Sequence, residues 1–76
     1  MARAVIRYAD LATYLEESGT TQVDLAAAVG ATQSQISRIA RGELVPRPAL
    51  AHRLARYAGI PLDSFVRVYL QRHEVA

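Results

Sequence analysis

The sequence predicts an all-α domain of five short helices. Apolar residues recur at spacings of three and four, the period of a helix face, and no strand pattern interrupts them. Hydrophobic residues make up 51% of the chain and many are alanine, which suits closely packed short helices. With 76 residues the chain holds one domain, which we expect to span residues 1–76 with a core from about 6 to 72.

The first two helices are bounded by capping residues and glycines. The first is predicted from about Ile6 to Glu17, with one apolar face formed by Tyr8, Leu11, Ala12 and Leu15. The second begins after a capping Thr21, which Asp24 follows three residues later as in a capping box. It ends at Gly30, because glycine readily takes the left-handed conformation that closes a helix.

The third helix is predicted from Gln33 to about Arg41. Thr32 precedes the helix and forms a second capping box with Gln35, and Gly42 ends the helix. A loop then runs to Pro48, which starts the fourth helix, because its missing N–H costs nothing at the first helical position. The fourth helix extends to Tyr57, and its inward residues are predicted to be Leu50, Leu54 and Tyr57.

The fifth helix is predicted from Pro61 to about Arg72. Its apolar stripe consists of Leu62, Phe65, Val66, Tyr69 and Leu70. Such a stripe ordinarily covers the domain's own core. The alternative is a contact between two copies of the chain, because exposed apolar patches mark interfaces. The candidate dimer contacts are Phe65, Tyr69 and Leu70.

Composition limits the classes of function. The chain has no cysteine, which excludes thiolate metal sites, and its two histidines are predicted on different helices without a nucleophile motif nearby. We therefore expect no enzyme, no metal and no cofactor. No stretch approaches the roughly 18 apolar residues of a membrane span, and the first residues lack the apolar run of a signal peptide. These observations favour a cytoplasmic protein without a membrane partner.

The charge is weakly basic, but its chemistry is informative. All nine basic residues are arginines, against seven acidic residues, for a net charge of +2. Arginine carries a rigid fork of donors that suits phosphates and guanine edges. A GC-rich coding bias or selection for heat stability would give the same composition, so the arginines alone do not decide the partner.

The third helix has two faces of different chemistry. At about 100° per residue, Ile36 and Ile39 fall on one side. The opposite side carries Gln33, Ser34, Ser37, Arg38 and Arg41, with no acidic residue. In the major groove, glutamine matches adenine edges, arginine matches guanine edges, and serine can bond either a base or a phosphate. The predicted base contacts are Gln33, Ser34, Ser37 and Arg38. An ordinary polar surface is the alternative.

Phosphate contacts are predicted at both ends of this helix pair. Gln22 stands at the start of the second helix, where free N–H groups form an anion site. A solvent-facing glutamine is the alternative there. Around the loop after the third helix, backbone N–H groups and guanidinium groups suit a second run of phosphates. The complete predicted phosphate set is Gln22, Thr32, Arg41, Gly42 and Arg47.

The spacing of these residues resembles the Cro/lambda-repressor-like family, also called the XRE-type helix-turn-helix. The likeness is carried by Thr21-Gln22, Leu25-Ala26, Gly30, Ile36-Ser37, Ile39 and Gly42, by Leu50 and Leu54-Ala55, and by the turn Gly59–Asp63. It covers about Leu11 to Val66. The resemblance implies a five-helix lambda-repressor-like domain whose second and third helices bind double-stranded DNA.

The resemblance also implies a role for each matching residue. Gln22 would hold a phosphate, while Gln33, Ser34 and Arg38 would face bases. Ser37 would sit at the groove edge and the loop 41–43 would lie along the DNA backbone. The chain departs from the family's pattern at Ala40, at Arg41 and at Glu43, where a basic residue is common. That last change predicts a poorer contact between the loop and phosphate.

Three functions follow from these observations. The first is a sequence-specific regulator of transcription, most simply a repressor, that reads double-stranded DNA as a homodimer. The second is the antitoxin of a toxin–antitoxin pair, which would bind an operator and a toxin. The third is a protein-interaction module that has lost DNA binding and uses the stripe of the fifth helix to bind another regulator.

Overall fold

Five α-helices follow one another in residues 5–74, the part of the chain that the computed structural model describes. They are α1 (Leu11–Ser18), α2 (Gln22–Val29), α3 (Gln33–Ala40), α4 (Pro48–Ala58) and α5 (Ser64–Arg72). No strand occurs in this part of the chain. The predicted all-α class and the number of helices are therefore confirmed. The ends of the predicted domain, residues 1–4 and 75–76, lie outside the described residues.

The first helix begins later than its apolar spacing predicts. Asp10 caps α1, since its side chain accepts a hydrogen bond of 2.9 Å from the backbone N–H of Thr13. The residues before it are not helical, and the N–H groups of Arg7 and Tyr8 both donate to the carbonyl of Gly59, at 2.7 and 3.1 Å. The start predicted at Ile6 was wrong, because a real cap outweighs an apolar repeat.

The second and third helices have the predicted caps. The hydroxyl of Thr21 accepts from the N–H of Asp24 at 3.1 Å, and α2 keeps its predicted bounds. At α3, the hydroxyl of Thr32 accepts from the N–H of Gln35 at 3.1 Å, and the Gln35 side chain accepts from the N–H of Thr32 at 2.9 Å. This reciprocal pair is the predicted capping box, so the start of α3 is fixed by its own sequence.

The last two helices differ from the prediction in the orientation of one side chain of α4 and in the start of α5. Tyr57 was expected to point inward, but it is 56% exposed, and Leu54 is the fully buried residue of α4. Helix α5 begins at Ser64 and not at Pro61. The N–H and the hydroxyl of Ser64 donate to the carbonyl of Pro61, at 3.0 and 2.6 Å, so a turn separates this proline from the helix.

All five helices contribute to one apolar core. Its buried members are Leu11, Tyr14, Leu25, Ala26, Val29, Ile36, Ile39, Ala51, Leu54, Ala58, Ile60 and Phe65. Tyr14 takes the buried position on α1 that Ala12 was expected to hold, and Ala12 is exposed. Because α2 and α3 each place two or more residues in this core, their mutual orientation is fixed by packing.

The loop after α3 is packed tightly against α5. Gly42 is buried with a φ of +76°, in the left-handed region. A Cβ atom added at Gly42 would lie 2.9 Å from the carbonyl oxygen of Val68 and 3.3 Å from the Cβ of Arg72. Only a glycine fits this site, so the loop is held against the outer helix at a close backbone approach.

We predict that Gly42→Ala destabilises the domain more than Gly30→Ala. Gly30 has a similar φ of +74°, but an added Cβ there would meet nothing within 4 Å. Gly30→Ala should therefore cost only the left-handed conformation, about 1–2 kcal/mol. Gly42→Ala adds a clash with backbone, which raises the expected loss to about 3 kcal/mol or more. Urea unfolding followed by circular dichroism measures both, and equal losses would contradict the tight packing at Gly42.

Candidate functional site

The outer face of α3 is an exposed polar surface on a helix whose other side is packed in the core. Ile36 and Ile39 are 0% and 3% exposed, so they fix one side of the helix in the core. On the other side the structure brings together the predicted base-contacting residues Gln33, Ser34, Ser37 and Arg38, all exposed except the half-buried Ser37. The helix has no acidic residue in its first turn and none elsewhere along its length. This face is therefore free to contact another molecule.

The start of α3 uses its polar groups to hold itself. Gln35 is exposed, but its side-chain oxygen is bonded to the N–H of Thr32. The hydroxyl of Thr32 accepts from Gln35 and also lies 3.4 Å from that same side-chain oxygen. A phosphate contact through Thr32 stays a prediction, and its hydroxyl would have to give up the 3.4 Å contact to make it.

The start of α2 presents free donors and one opposing charge. Gln22 is half-buried at the first helical position, next to the capping Thr21. No acceptor for the backbone N–H groups of Gln22 and Val23 is found among residues 5–74. These donors and the helix dipole favour an anion. The exposed carboxylate of Asp24 lies in the same turn and opposes one, so the site suits a brief phosphate contact better than a tight one.

The loop after α3 holds a cluster of charges that the sequence analysis did not find. The carboxylate of Glu43 lies 3.0 Å from Arg41 Nε, 3.5 Å from Arg72 Nη2 and 3.9 Å from Arg38 Nε. Arg72 ends α5 and is distant in sequence, so no local pattern pairs it with Glu43. The only signal at Glu43 in the sequence is its departure from the pattern of the family that the chain resembles.

Two other residues of the predicted phosphate set, Gly42 and Arg47, lie in the segment between α3 and α4. Arg47 is exposed at the N-cap of α4, and its side chain makes no capping hydrogen bond. Gly42 does not fit the prediction, because it is buried and its N–H donates to the carbonyl of Ile39 at 3.1 Å. We therefore do not retain Gly42 as a phosphate contact, since its role is to let the loop approach α5.

The candidate dimer surface on α5 is also different from the predicted one. Phe65 is 4% exposed and belongs to the core, so its prediction as a dimer contact was wrong. Tyr69 is half-buried and stacks on His73 with ring centroids 4.2 Å apart. Leu70 is 60% exposed, and with Leu62 and Val66 it forms the exposed apolar surface of this region, which we call the α5 patch.

Two arginines hold parts of the fold together. Arg53 Nε donates to the carbonyl of Val29 at 2.8 Å, which closes the end of α2. Arg67 Nη2 donates to the carbonyl of Ala9 at 2.7 Å, which holds the segment before α1 against α5. The arginine content of the chain thus has a structural component.

In residues 5–74 no group of three or more histidine, aspartate or glutamate side chains is placed to hold a metal ion. None of the five helices is long and apolar enough to cross a membrane.

A family model described as helix-turn-helix matches residues 11–65, which covers α1 to α4 and the start of α5. No curated protein and no solved structure matches the chain.

Proposed function

The chain belongs to the Cro/C1-type helix-turn-helix family, also called the XRE family, and from this premise we propose that it is a sequence-specific transcriptional repressor. Membership makes it a DNA-binding regulator. The finer proposal is that α3 enters the major groove of double-stranded DNA and that two copies bind one operator. We further propose that the protein acts in the cytoplasm, on the DNA present there, and uses no cofactor.

The exposed face of α3 is the observation that carries this proposal. The amide of Gln33 can bond the N6 and N7 edge of adenine, and the guanidinium of Arg38 can bond O6 and N7 of guanine. Ser34 is short, so it allows the helix to approach the base pairs closely. Because Ile36 and Ile39 hold the opposite side rigidly, these groups reach the groove without ordering the helix first.

Phosphate contacts complete the proposed interface. Gln22 and the free N–H groups of α2 lie at one end of the helix pair, and Arg41 and Arg47 lie beyond the other end. Contacts of this kind fix the register of the protein on the duplex but carry no sequence information. We assign Gln22, Arg41 and Arg47 to phosphate, with Thr32 as a further contact of the α3 start.

A homodimer supplies the specificity that one short helix lacks. A single recognition helix reads only a few base pairs, whereas two-fold dimers read half-sites about 34–36 Å apart. The α5 patch offers the apolar surface for such a contact, since Leu62, Val66 and Leu70 are all close to half exposed or more. A dimer that occupies an operator excludes other proteins from that DNA, so binding alone is enough for repression.

We predict that selection from a random duplex library, followed by sequencing, enriches an inverted repeat. The spacing of its halves should be about one helical turn, 10–10.5 base pairs. A single short half-site would contradict the homodimer and leave the base-reading role of α3. A protein that enriches no sequence at low salt would contradict DNA reading as a whole and would favour a protein-interaction module.

Two substitutions should separate base contacts from phosphate contacts. We predict that Arg38→Ala weakens binding to the selected duplex by about 1–3 kcal/mol and relaxes the preference at one base pair. Gln22→Ala should weaken binding to the selected duplex and to a scrambled duplex by the same factor, because a phosphate is present in both. Fluorescence anisotropy on both duplexes measures these changes. An equal loss on both for Arg38→Ala would contradict its base contact.

The proposed dimer contact has its own test. We predict that Leu70→Gln raises the dimer dissociation constant at least about tenfold, because a two-fold interface loses each buried leucine twice. Tyr57→Gln is the matched control, since Tyr57 is 56% exposed on α4, outside the α5 patch. Sedimentation equilibrium measures both, and an equal dissociation constant for the Leu70 variant and the wild type would place the dimer contact elsewhere.

A further inference from the structure

All three ion pairs within residues 5–74 share one carboxylate, that of Glu43. Its partners come from α3, from the C-cap of α3 and from the last residue of α5. Resting on the proposed function above, we propose that Glu43 is a positioning residue that sets how strongly the protein prefers its operator to other DNA. It does so by binding Arg41 in competition with phosphate and by limiting the orientations of Arg38.

The carboxylate is held in place by the loop around it. The N–H of Glu43 donates to the carbonyl of Arg38 at 2.9 Å, and the buried Gly42 packs against α5. Arg72 Nη1 lies 3.4 Å from the carbonyl of Arg41 while its Nη2 lies 3.5 Å from the Glu43 carboxylate. The Glu43 side chain is 30% exposed, less than its three arginine partners at 50–57%. Glu43 is thus the least exposed side chain of the cluster and the one that all three arginines share.

The first consequence concerns phosphate. Arg41 makes the shortest pair with Glu43, at 3.0 Å, and a second contact of 3.5 Å between Nη2 and the other carboxylate oxygen. A phosphate must displace this carboxylate to use Arg41 fully. The affinity for DNA of any sequence depends on how many phosphates the protein neutralises, so Glu43 lowers non-specific binding.

The second consequence concerns base reading. Arginine has a long side chain that loses much rotamer freedom when it is ordered on a base edge. The carboxylate of Glu43, 3.9 Å from Arg38 Nε, restricts that side chain before DNA arrives. The entropy lost on forming the base contact is therefore smaller. One carboxylate thus weakens binding to all DNA and supports binding to the operator, and both effects raise specificity.

Glu43→Gln tests the proposal, with Glu17→Gln as the matched control. Glu17 is an exposed acidic residue of α1 without an ion pair among the described residues, so both variants lose one negative charge. The probes are the best duplex from the library selection and a scrambled duplex of the same length and composition. Circular dichroism melts first establish that all proteins are folded.

We expect Glu43→Gln to bind the scrambled duplex about threefold to tenfold more tightly than the wild type. Its affinity for the selected duplex should change by a smaller factor, so that the ratio of the two affinities falls. The slope of log affinity against log salt should steepen by about 0.9, because one more phosphate is neutralised. Glu17→Gln should keep the wild-type ratio and slope. An unchanged ratio in Glu43→Gln, or the same fall in Glu17→Gln, would overturn the proposal.

Glu43→Asp separates position from charge. This variant keeps the negative charge but withdraws the carboxylate from Arg41 and Arg72. We expect its affinity ratio to fall below the wild-type value, and a wild-type ratio would show that charge alone acts and would overturn the positioning role. In the free protein, the Nε–H of Arg41 should exchange with solvent more slowly than in Glu43→Gln. Equal exchange rates would show that the ion pair between Arg41 and Glu43 does not form in solution, and would overturn the proposal.

The outcomes also distinguish this proposal from the proposed function. A wild-type protein that binds neither duplex at low salt overturns the DNA-reading function and this inference with it. A wild-type protein that prefers its selected duplex, with an unchanged ratio and salt slope in Glu43→Gln, overturns this inference alone.

Discussion

The burial of Ile36 and Ile39 is the interaction on which the rest of the structure depends. Helix α3 has eight residues, and isolated helices shorter than about 12–15 residues are marginal in water. Its stability must therefore come from packing, and these two residues bury its apolar side almost completely. The same packing fixes which side chains face outward. The polar outer surface of α3 is thus a consequence of the core, since a helix rotated by one residue would expose an isoleucine and bury a polar side chain.

The sequence predicted the helix pair well because its signals there are local. Thr21, Thr32 and Gln35 lie within three residues of the groups they cap, so their hydrogen bonds follow from spacing alone. The isoleucine pair of α3 is equally local. At α1 the local signal that fixes the start is Asp10, which caps the helix, whereas apolar spacing alone predicts a start at Ile6.

The sequence could not predict features that depend on contacts between distant segments. The burial of Gly42 depends on Val68, and the charge cluster at Glu43 depends on Arg72, both of them on α5. Phe65 and Leu70 belong to one apolar stripe, and only the packed structure shows that the first is in the core and the second on the surface. The base-contacting roles of the α3 residues depend on contacts with DNA and not on contacts within the chain. They therefore stay predictions.

The weak net charge of +2 gives the local placement of charges its importance. A strongly basic protein of this size would bind all DNA through phosphate neutralisation, and the many competing sites would hold it away from its operator. In this chain Arg53 and Arg67 are bonded to backbone carbonyls, and Glu43 binds three more arginines. These contacts engage five of the nine arginines within the protein, so in the proposed interface the discrimination between DNA sequences rests on the outer face of α3. If Glu43 acts as proposed, the protein gains specificity by restraining its positive charge as much as by adding contacts to bases.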